Sequence, residues 1–221
     1  LIVDEQAVSK VGFLTYTDNW IAIQKFEEYN DLYFPIDSIL NNGMISLPGE
    51  KIEHNILLAQ RKFQEMSYIN STDYNISGDQ FEFEIDIKFI PISLSNLCNR
   101  VYLIIHGENG FLYFSFAAKS CPKGISATLS EKKFGKLASS NERLLHDFTK
   151  WTTVNINNQD KNVRLSINDS LAFEGKYSRP IGDVYSLEVQ FAGNGAVDKV
   201  FLIDNITSNA YSEDFEMLRH P

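Results

Sequence analysis

The amino-acid sequence predicts an all-β protein, specifically a two-sheet antiparallel β-sandwich, and two observations support this fold class. Residues 151–204 divide into short segments in which apolar and polar side chains alternate, with turn residues between them. The chain also holds 16 Phe and 10 Tyr among its 221 residues, and aromatic side chains favour strands over helices. Sandwiches commonly reach roughly 200 to 250 residues around one core, so we predict a single domain over residues 11–221. Residues 1–10 carry little pattern, and we predict a linker or N-terminal extension there.

The clearest strand is predicted in residues 81–89. Apolar and charged side chains alternate there without interruption, so one face of the strand belongs to the core and the other meets water. The apolar set is Phe81, Phe83, Ile85, Ile87 and Phe89, and the charged set is Glu82, Glu84, Asp86 and Lys88.

A β-hairpin is predicted next, with strands at residues 101–106 and 111–116 around a turn at residues 107–110. Residues that face each other in this hairpin have numbers that sum to roughly 217 to 219. Cys98 and Cys121 sum to 219, so an extended pairing brings the two thiols within reach of a disulfide. The alternative is two free, partly buried thiols. A disulfide indicates an oxidising compartment, and we expect the chain to be secreted, periplasmic or at the cell surface.

The segments of residues 151–204 predict consecutive strands, and the second segment is itself a hairpin. Residues 163–167 alternate, Asn168–Ser170 supply the turn, and the alternation resumes at Leu171 and Phe173. Trp151 precedes the first of these strands, and we expect its indole in the core.

The charge of the chain excludes two classes of partner. With 20 Lys and Arg against 29 Asp and Glu, the formal net charge is −9, and no run of basic residues forms a stripe along which a phosphate backbone would bind. We therefore predict no binding to nucleic acid or to anionic membrane surfaces. No window of about 18 apolar residues is present, so we predict no membrane insertion of this domain. The chain begins at Leu1 without a signal-like pattern, and we expect a processed or trimmed chain.

The order of the segments resembles the concanavalin A-like jelly roll. The segments are NNGMISLPG, QFEFEIDIKFIP, VYLIIHGENGFLYFSF and the block that begins at Trp151. Ile167-Asn168-Asp169 stands where this family often has Ile-Asn-Gly, and residues 195–200 match its closing strand. The resemblance covers residues 13–207 and is closest to laminin-G-like modules and to bacterial domains named for 3-keto-disaccharide hydrolases. Its motifs are structural, so it implies a fold and leaves the ligand open.

A jelly roll leaves one curved sheet with a solvated concave side. We predict that a carbohydrate or a surface protein binds there or at the rim loops, and other domains of a parent chain are further candidate partners. The candidate binding residues are polar positions whose apolar neighbours point into the core; the alternative is an ordinary hydrated sheet surface. These candidates are Glu84, Asp86, Tyr102, His106, Glu188 and Gln190.

One of these strands also resembles the catalytic strand of the glucanases of this superfamily. The resemblance implies a nucleophile at Glu84 and an assisting carboxylate at Asp86, but Lys88 stands in the place of the acid/base glutamate. A retaining glycosidase needs two carboxyl groups roughly 5 to 5.5 Å apart, and an ammonium group is unsuited to the acid step. We therefore expect no catalysis, with a glycoside hydrolase or a purely structural module as the alternatives.

We predict no cofactor, with calcium as the alternative. The four histidines show no metal-ligand spacing; they are His54, His106, His146 and His220. Four residues carry side-chain oxygens of the kind that calcium takes as ligands, although Asp and Asn are common in turns for backbone reasons. They are Asp160, Asn162, Asp198 and Asp204. Among further aromatic residues, we expect Trp20 in the core and Tyr29 and Tyr33 on the surface.

Overall fold

The structure is a computed structural model, and it describes residues 21–26, 29–35, 40–41, 44–45, 63–71, 74–90, 100–117, 126–134, 147–192 and 194–213. This part of the chain consists of β-strands joined by turns and loops, and it contains no helix long and apolar enough to span a membrane. The strands are β1 Ile21–Phe26, β2 Tyr29–Pro35, β3 Leu40–Asn41, β4 Met44–Ile45, β5 Phe63–Ser71, β6 Gln80–Ile90, β7 Arg100–Gly107, β8 Gly110–Ala117, β9 Ser126–Leu129, β10 Lys132–Phe134, β11 Thr152–Gln159, β12 Asn162–Ile167, β13 Ser170–Lys176, β14 Val184–Ala192, β15 Asn194–Asp204 and β16 Ala210–Glu213.

The strands form two antiparallel sheets. Sheet A has the order β10-β9-β8-β7-β14-β5-β1-β2. Sheet B has the order β13-β12-β11-β6-β15-β4-β3, and β16 pairs with β15. The predicted fold class, a two-sheet antiparallel β-sandwich of jelly-roll type, is confirmed.

The core lies between the two sheets and is formed by alternate residues of their central strands. In β6 the predicted alternation is confirmed, because the five apolar residues from Phe81 to Phe89 are buried while the charged residues between them reach solvent. In sheet A burial alternates throughout β7, whereas β8 and β14 also bury polar residues between their core positions, namely Ser115, Ser186 and Glu188. The buried residues of these strands include Val101, Leu103, Ile105, Leu112, Phe114, Phe116, Leu187, Val189 and Phe191.

The hairpin of β7 and β8 has the predicted register. Its pairs run from Arg100 opposite Ala117 to Gly107 opposite Gly110. The number sum is 217 throughout, at the lower end of the predicted range. Cys98 and Cys121 lie outside the described residues, so their disulfide stays a prediction. Intact-mass measurement without and with a reductant tests it, with the mass deficit of one disulfide expected before reduction; two alkylatable thiols in the unreduced protein would contradict it.

The hairpin of β12 and β13 confirms the predicted turn and corrects one side chain. Asn168 and Asp169 have φ angles of 45° and 63°, the left-handed conformation that a two-residue hairpin turn favours. A register shift between Leu165 and Ser166 then moves the alternation by one residue. As a result Phe173 is buried, whereas Leu171 is 50% exposed instead of resuming the inward pattern at once.

The prediction that Trp151 lies in the core is wrong. Its side chain is 36% exposed, and the Lys88 ammonium lies 5.7 Å from the centre of its ring. Thr152, the next residue, is the first buried position of β11. Because side chains alternate along a strand, Trp151 therefore belongs to the outer face of sheet B.

The loop between β13 and β14 is anchored to the sandwich by Tyr177. The buried phenol accepts a hydrogen bond of 2.7 Å from the Asn158 amide and donates one of 2.6 Å to Asp79. Burial, reinforced by the hydrogen bond to Asp79, raises the pKa of Tyr177 far above its usual value, so the hydroxyl stays protonated at any physiological pH. Farther along this loop, the carbonyl of Ile181 accepts a hydrogen bond of 2.7 Å from the backbone N–H of Asn109. The loop is thereby held against the turn between β7 and β8.

Glu131 attaches the turn between β9 and β10 to the same loop. Its carboxylate accepts hydrogen bonds from the hydroxyl of Ser178 at 2.5 Å, from the N–H of Ser178 at 3.0 Å and from the N–H of Arg179 at 3.2 Å. These bonds, that of the Ser178 hydroxyl first, lower the pKa of Glu131 from 4.5 to about 2. A carboxyl group with a depressed folded-state pKa stabilises the fold above its unfolded pKa, and that stabilisation is lost as the pH falls through the folded value.

The Glu131→Gln variant is therefore expected to melt at a lower temperature than the wild type at pH 7, by a difference that shrinks as the pH falls from about 4.5 toward 2. Thermal melts of both proteins across this pH range measure the difference. A difference that stays constant down to pH 2 would show that the charge of Glu131 does not contribute.

Candidate functional site

The structure divides the six predicted binding residues between the two outer faces of the sandwich. Glu84 and Asp86 lie on β6 in sheet B, whereas the other four lie on β7 and β14 in sheet A. All six point away from the core, as predicted, but the expectation that they share one face is wrong. Alternation shows whether a side chain points inward, and it does not show to which sheet the strand belongs.

The four residues of sheet A lie together because β7 and β14 are hydrogen-bonded neighbours. In their register, Gln190 is opposite Tyr102 and Glu188 is opposite Ile104. His106 is opposite Ser186. Ser186 is two residues before Glu188 on β14, so the two residues share a face of the strand. Both strands are central in sheet A, so a rigid backbone positions these side chains.

A hydrogen-bonded trio lies at the centre of this group. His106 Nε2 is 3.2 Å from one carboxylate oxygen of Glu188, and the Gln190 amide donates a hydrogen bond of 2.6 Å to the other oxygen. The side chain of Glu188 is only 12% exposed and that of His106 is 29% exposed. A nearly buried carboxylate is thus held in one orientation by two neighbours, one of which reaches farther into solvent.

Aromatic rings flank the trio, and sequence reasoning missed most of them. Tyr113 on β8 stacks on Tyr102, with ring centres 5.8 Å apart and planes inclined by 23°. Tyr185 lies beside His106, with ring centres 6.1 Å apart. Phe111 is opposite His106 in the β7–β8 register and is 41% exposed. We name the resulting surface the β7–β14 patch; it consists of Tyr102, His106, Phe111, Tyr113, Tyr185, Glu188 and Gln190.

A bulge explains the exposure of Tyr185. The register between β14 and β7 shifts between Val184 and Ser186, and both of these residues are buried while Tyr185 between them is exposed. Bulges insert one unpaired residue and change the direction of its side chain. Tyr185 therefore joins the patch through a local irregularity, which regular alternation does not predict.

On sheet B, Glu84 and Asp86 have described neighbours on β11 and β15. Glu84 is exposed and is opposite Asn155 and Phe201. The carboxylate of Asp86 accepts a hydrogen bond of 2.6 Å from the Thr153 hydroxyl. The third position of the glucanase-like pattern holds the Lys88 ammonium next to the Trp151 ring, so this strand supplies no carboxylic acid there.

Of the four residues considered for calcium, Asp204 has the clearest role. One of its carboxylate oxygens accepts from the N–H of Ile206 and that of Thr207, both at 2.7 Å, and the other accepts from the N–H of Ser77 at 2.9 Å. Burial acts to raise the pKa of Asp204, but these hydrogen bonds outweigh it and lower the pKa. The carboxylate thus organises the turn that follows β15.

The other three residues lie at turns or strand positions of sheet B. The carboxylate of Asp160 accepts a hydrogen bond from the Gln80 amide, and the Asn162 amide donates to the carbonyls of Gln159 and Asp160. Asp198 is opposite Asp86 on β6. Among the described residues, no group of three or more His, Cys, Asp or Glu side chains is arranged to hold a metal ion.

Several candidates lie beyond what the structure describes. Tyr29 and Tyr33 belong to β2, of which the backbone alone is described. The remaining candidates outside the described residues are Trp20, His54, His146 and His220.

No protein-family model and no curated protein sequence matches the chain. Solved structures similar to it include a carbohydrate-binding module, CBM66, from Bacillus subtilis, at 15% identity and a TM-score of 0.43, over 68% of this chain and 83% of that one. Sheep galectin-11 is similar at 10% identity and a TM-score of 0.45, over 62% of this chain and 96% of that one. A family 16 glycoside hydrolase endo-glucanase from Bacteroides ovatus is similar at 12% identity and a TM-score of 0.45, over 62% and 74% of the two chains. These similarities concern the β-sandwich fold.

Proposed function

We propose that the chain is a carbohydrate-binding domain whose ligand contacts the β7–β14 patch. The observation that supports this most is the Glu188 carboxylate, held between His106 and Gln190 and flanked by tyrosine rings on one face of sheet A. A pyranose presents hydroxyl groups at its edge and C–H groups on its faces. The patch offers polar groups to the first and aromatic faces to the second.

The geometry of the trio favours binding because its members are already oriented. Glu188 is restrained by hydrogen bonds at both carboxylate oxygens, so little side-chain freedom is lost when a ligand arrives. A sugar hydroxyl is a hydrogen-bond donor, and hydrogen bonds to a charged acceptor such as a carboxylate are stronger than neutral ones. The His106 side chain, 29% exposed, adds an imidazole to the same surface.

The outer face of sheet B is less suited to this role. Its polar side chains bond to one another as those of the patch do, through the Asn155 amide that donates to Glu82 at 3.1 Å and the Thr153 hydroxyl that donates to Asp86, so the difference lies in the aromatic residues. Among the described aromatic residues exposed there, the Trp151 indole is already in contact with the Lys88 ammonium, and Phe201 is opposite Glu84.

The proposal includes export and the absence of catalysis. The inference of export rests on the disulfide that the sequence predicts between Cys98 and Cys121, because disulfides form in oxidising compartments. The absence of catalysis is supported by Lys88, which occupies the position where the glucanase-like pattern requires a carboxylic acid.

A glycan array with the purified domain tests the proposal, followed by a reducing-end assay on every glycan retained. We expect retention of at least one class of glycan, with the same profile for the wild type and for Glu84→Gln, and no release of reducing ends. Retention of no glycan would contradict carbohydrate binding. Release of reducing ends by the wild type that Glu84→Gln abolishes would instead identify a hydrolase that acts through sheet B.

A further inference from the structure

We infer that the β7–β14 patch binds a chain of linked sugars that lies along β7, in contact with an aromatic group at each end, and not a single terminal sugar. This inference rests on the proposed function and specifies the kind of carbohydrate that the same patch takes. It follows from the order in which aromatic and polar side chains succeed one another along the strands.

The first aromatic group lies toward the start of β7. It consists of Tyr102 and Tyr113, whose rings stack on each other although the backbone of Tyr113 is opposite Ile104. Gln190 is opposite Tyr102 on the other neighbouring strand, β14. This end of the patch therefore offers a pair of rings beside an amide group.

The second aromatic group lies at the far end of β7, where the strand approaches its hairpin turn. Phe111 of β8 is opposite His106, and Tyr185 of β14 lies beside His106 with ring centres 6.1 Å apart. Phe111 is 41% exposed and Tyr185 is 49% exposed, so both rings present apolar surface to a ligand. At this level of the sheet, β7, β8 and β14 each carry a ring.

The outermost rings of the two groups, Tyr102 and Tyr185, are too far apart for one sugar to contact both. Tyr185 precedes Ser186, which is opposite His106, and His106 is four residues beyond Tyr102 on β7. Four residues correspond to about 13 Å at roughly 3.3 Å per residue. This distance exceeds the length of a pyranose, so a ligand that contacts both ends consists of several linked sugars.

The polar centre of the patch lies between the two groups. Glu188 is opposite Ile104, which is midway between Tyr102 and His106 on β7. The Glu188 carboxylate is oriented there by His106 and Gln190. Along the strands, the patch thus presents rings, then a carboxylate, then rings.

This order of groups suits a sugar chain. Each pyranose has C–H groups on its faces and hydroxyl groups at its edge, and linked sugars repeat both along the chain. A chain along β7 places sugar faces against the rings at each end and hydroxyl donors near the Glu188 carboxylate. Because the two ends bind one molecule, the second contact is intramolecular and strengthens binding without a second association cost.

Titrations with ligands of increasing length test the inference. The ligands are an oligosaccharide that the domain retains on the array and its shortened forms, down to the single sugar from either end. For the wild type we expect affinity to rise with length, and the single sugars to bind about a hundredfold more weakly or worse than the whole oligosaccharide. A single sugar that binds as tightly as the whole oligosaccharide would overturn the inference while carbohydrate binding itself stood.

Variants at the two ends locate the chain. Tyr102→Ala and Tyr185→Ala are each expected to weaken binding of the whole oligosaccharide about tenfold, and the double variant about a hundredfold, because distant contacts act independently. For a shortened ligand that occupies one end only, one of the two single variants is expected to have no effect. Phe201→Ala, exposed on the other sheet, is the aromatic control and is expected to leave every affinity unchanged. Thermal melts of all variants verify the fold.

Two results with the variants would overturn the inference and leave carbohydrate binding by the domain intact. The first is an unchanged affinity of Tyr185→Ala for the whole oligosaccharide, and the second is equal weakening of the shortest bound ligand by both single variants. Failure of the wild type to bind any glycan, of whatever length, would overturn the proposed function and this inference with it.

Discussion

Replacing Phe114 with alanine is expected to lower the free energy of unfolding by about 3–5 kcal/mol, the cost of removing a buried aromatic ring from a packed core. Phe114 is completely buried on β8 and packs edge to face against Phe173 of sheet B, with ring centres 6.3 Å apart. The contact joins the two sheets, so the loss is a large share of the roughly 5–15 kcal/mol that stabilises an ordinary domain. Urea denaturation of the wild type and the variant measures it.

The same strand offers a matched control. Phe111 is three residues earlier on β8 and is 41% exposed on the outer face. The Phe111→Ala variant is expected to lose about 1 kcal/mol or less, because little apolar surface returns to water. Equal losses for the two variants would contradict the orientation of β8 in the sandwich.

Replacing Tyr102 with alanine is expected to weaken glycan binding about tenfold or more, which corresponds to about 1.4 kcal/mol. The change removes one ring of the stacked pair with Tyr113 and opens the side of the Glu188 trio nearest Gln190. Aromatic residues at the centre of a binding surface commonly contribute more than 1 kcal/mol each. Calorimetric titration with the glycan that binds best on the array measures the change.

Phe201→Ala is the control for Tyr102→Ala. Phe201 is an aromatic residue that is 37% exposed on β15, on the outer face of the other sheet. Its removal is expected to leave the affinity unchanged, and thermal melts of both variants show whether the fold is intact. Unchanged affinity in Tyr102→Ala, or an equal loss in both variants, would exclude the β7–β14 patch as the binding surface.

The central strands were predictable because their side chains alternate with a period of two. The pattern of β6 separates Phe83 from Glu84 and Ile85 from Asp86 without ambiguity, and burial follows it. The faces of Trp151 and Leu171 were harder to predict, because Trp151 immediately precedes β11 and Leu171 lies next to the register shift of β13. Local departures of this kind change the face of a side chain and leave little trace in composition.

The candidate site was predictable in part for a related reason. Tyr102, His106, Glu188 and Gln190 were found because their neighbours are apolar, and the hairpin sum of 217 also places Tyr113 opposite Ile104. Tyr185 depends on a bulge. That Glu84 belongs to the other sheet depends on which strands pair, a tertiary property that alternation within one strand does not encode.

The most direct test of carbohydrate binding by the β7–β14 patch is to map the bound glycan on the protein by NMR, following backbone amide shifts during a titration. We predict that the largest shifts cluster on β7, β8 and β14, around Tyr102, Tyr113 and Glu188. Shifts concentrated instead on β6 and β11, around Glu84 and Asn155, would contradict the assignment and place the ligand on sheet B.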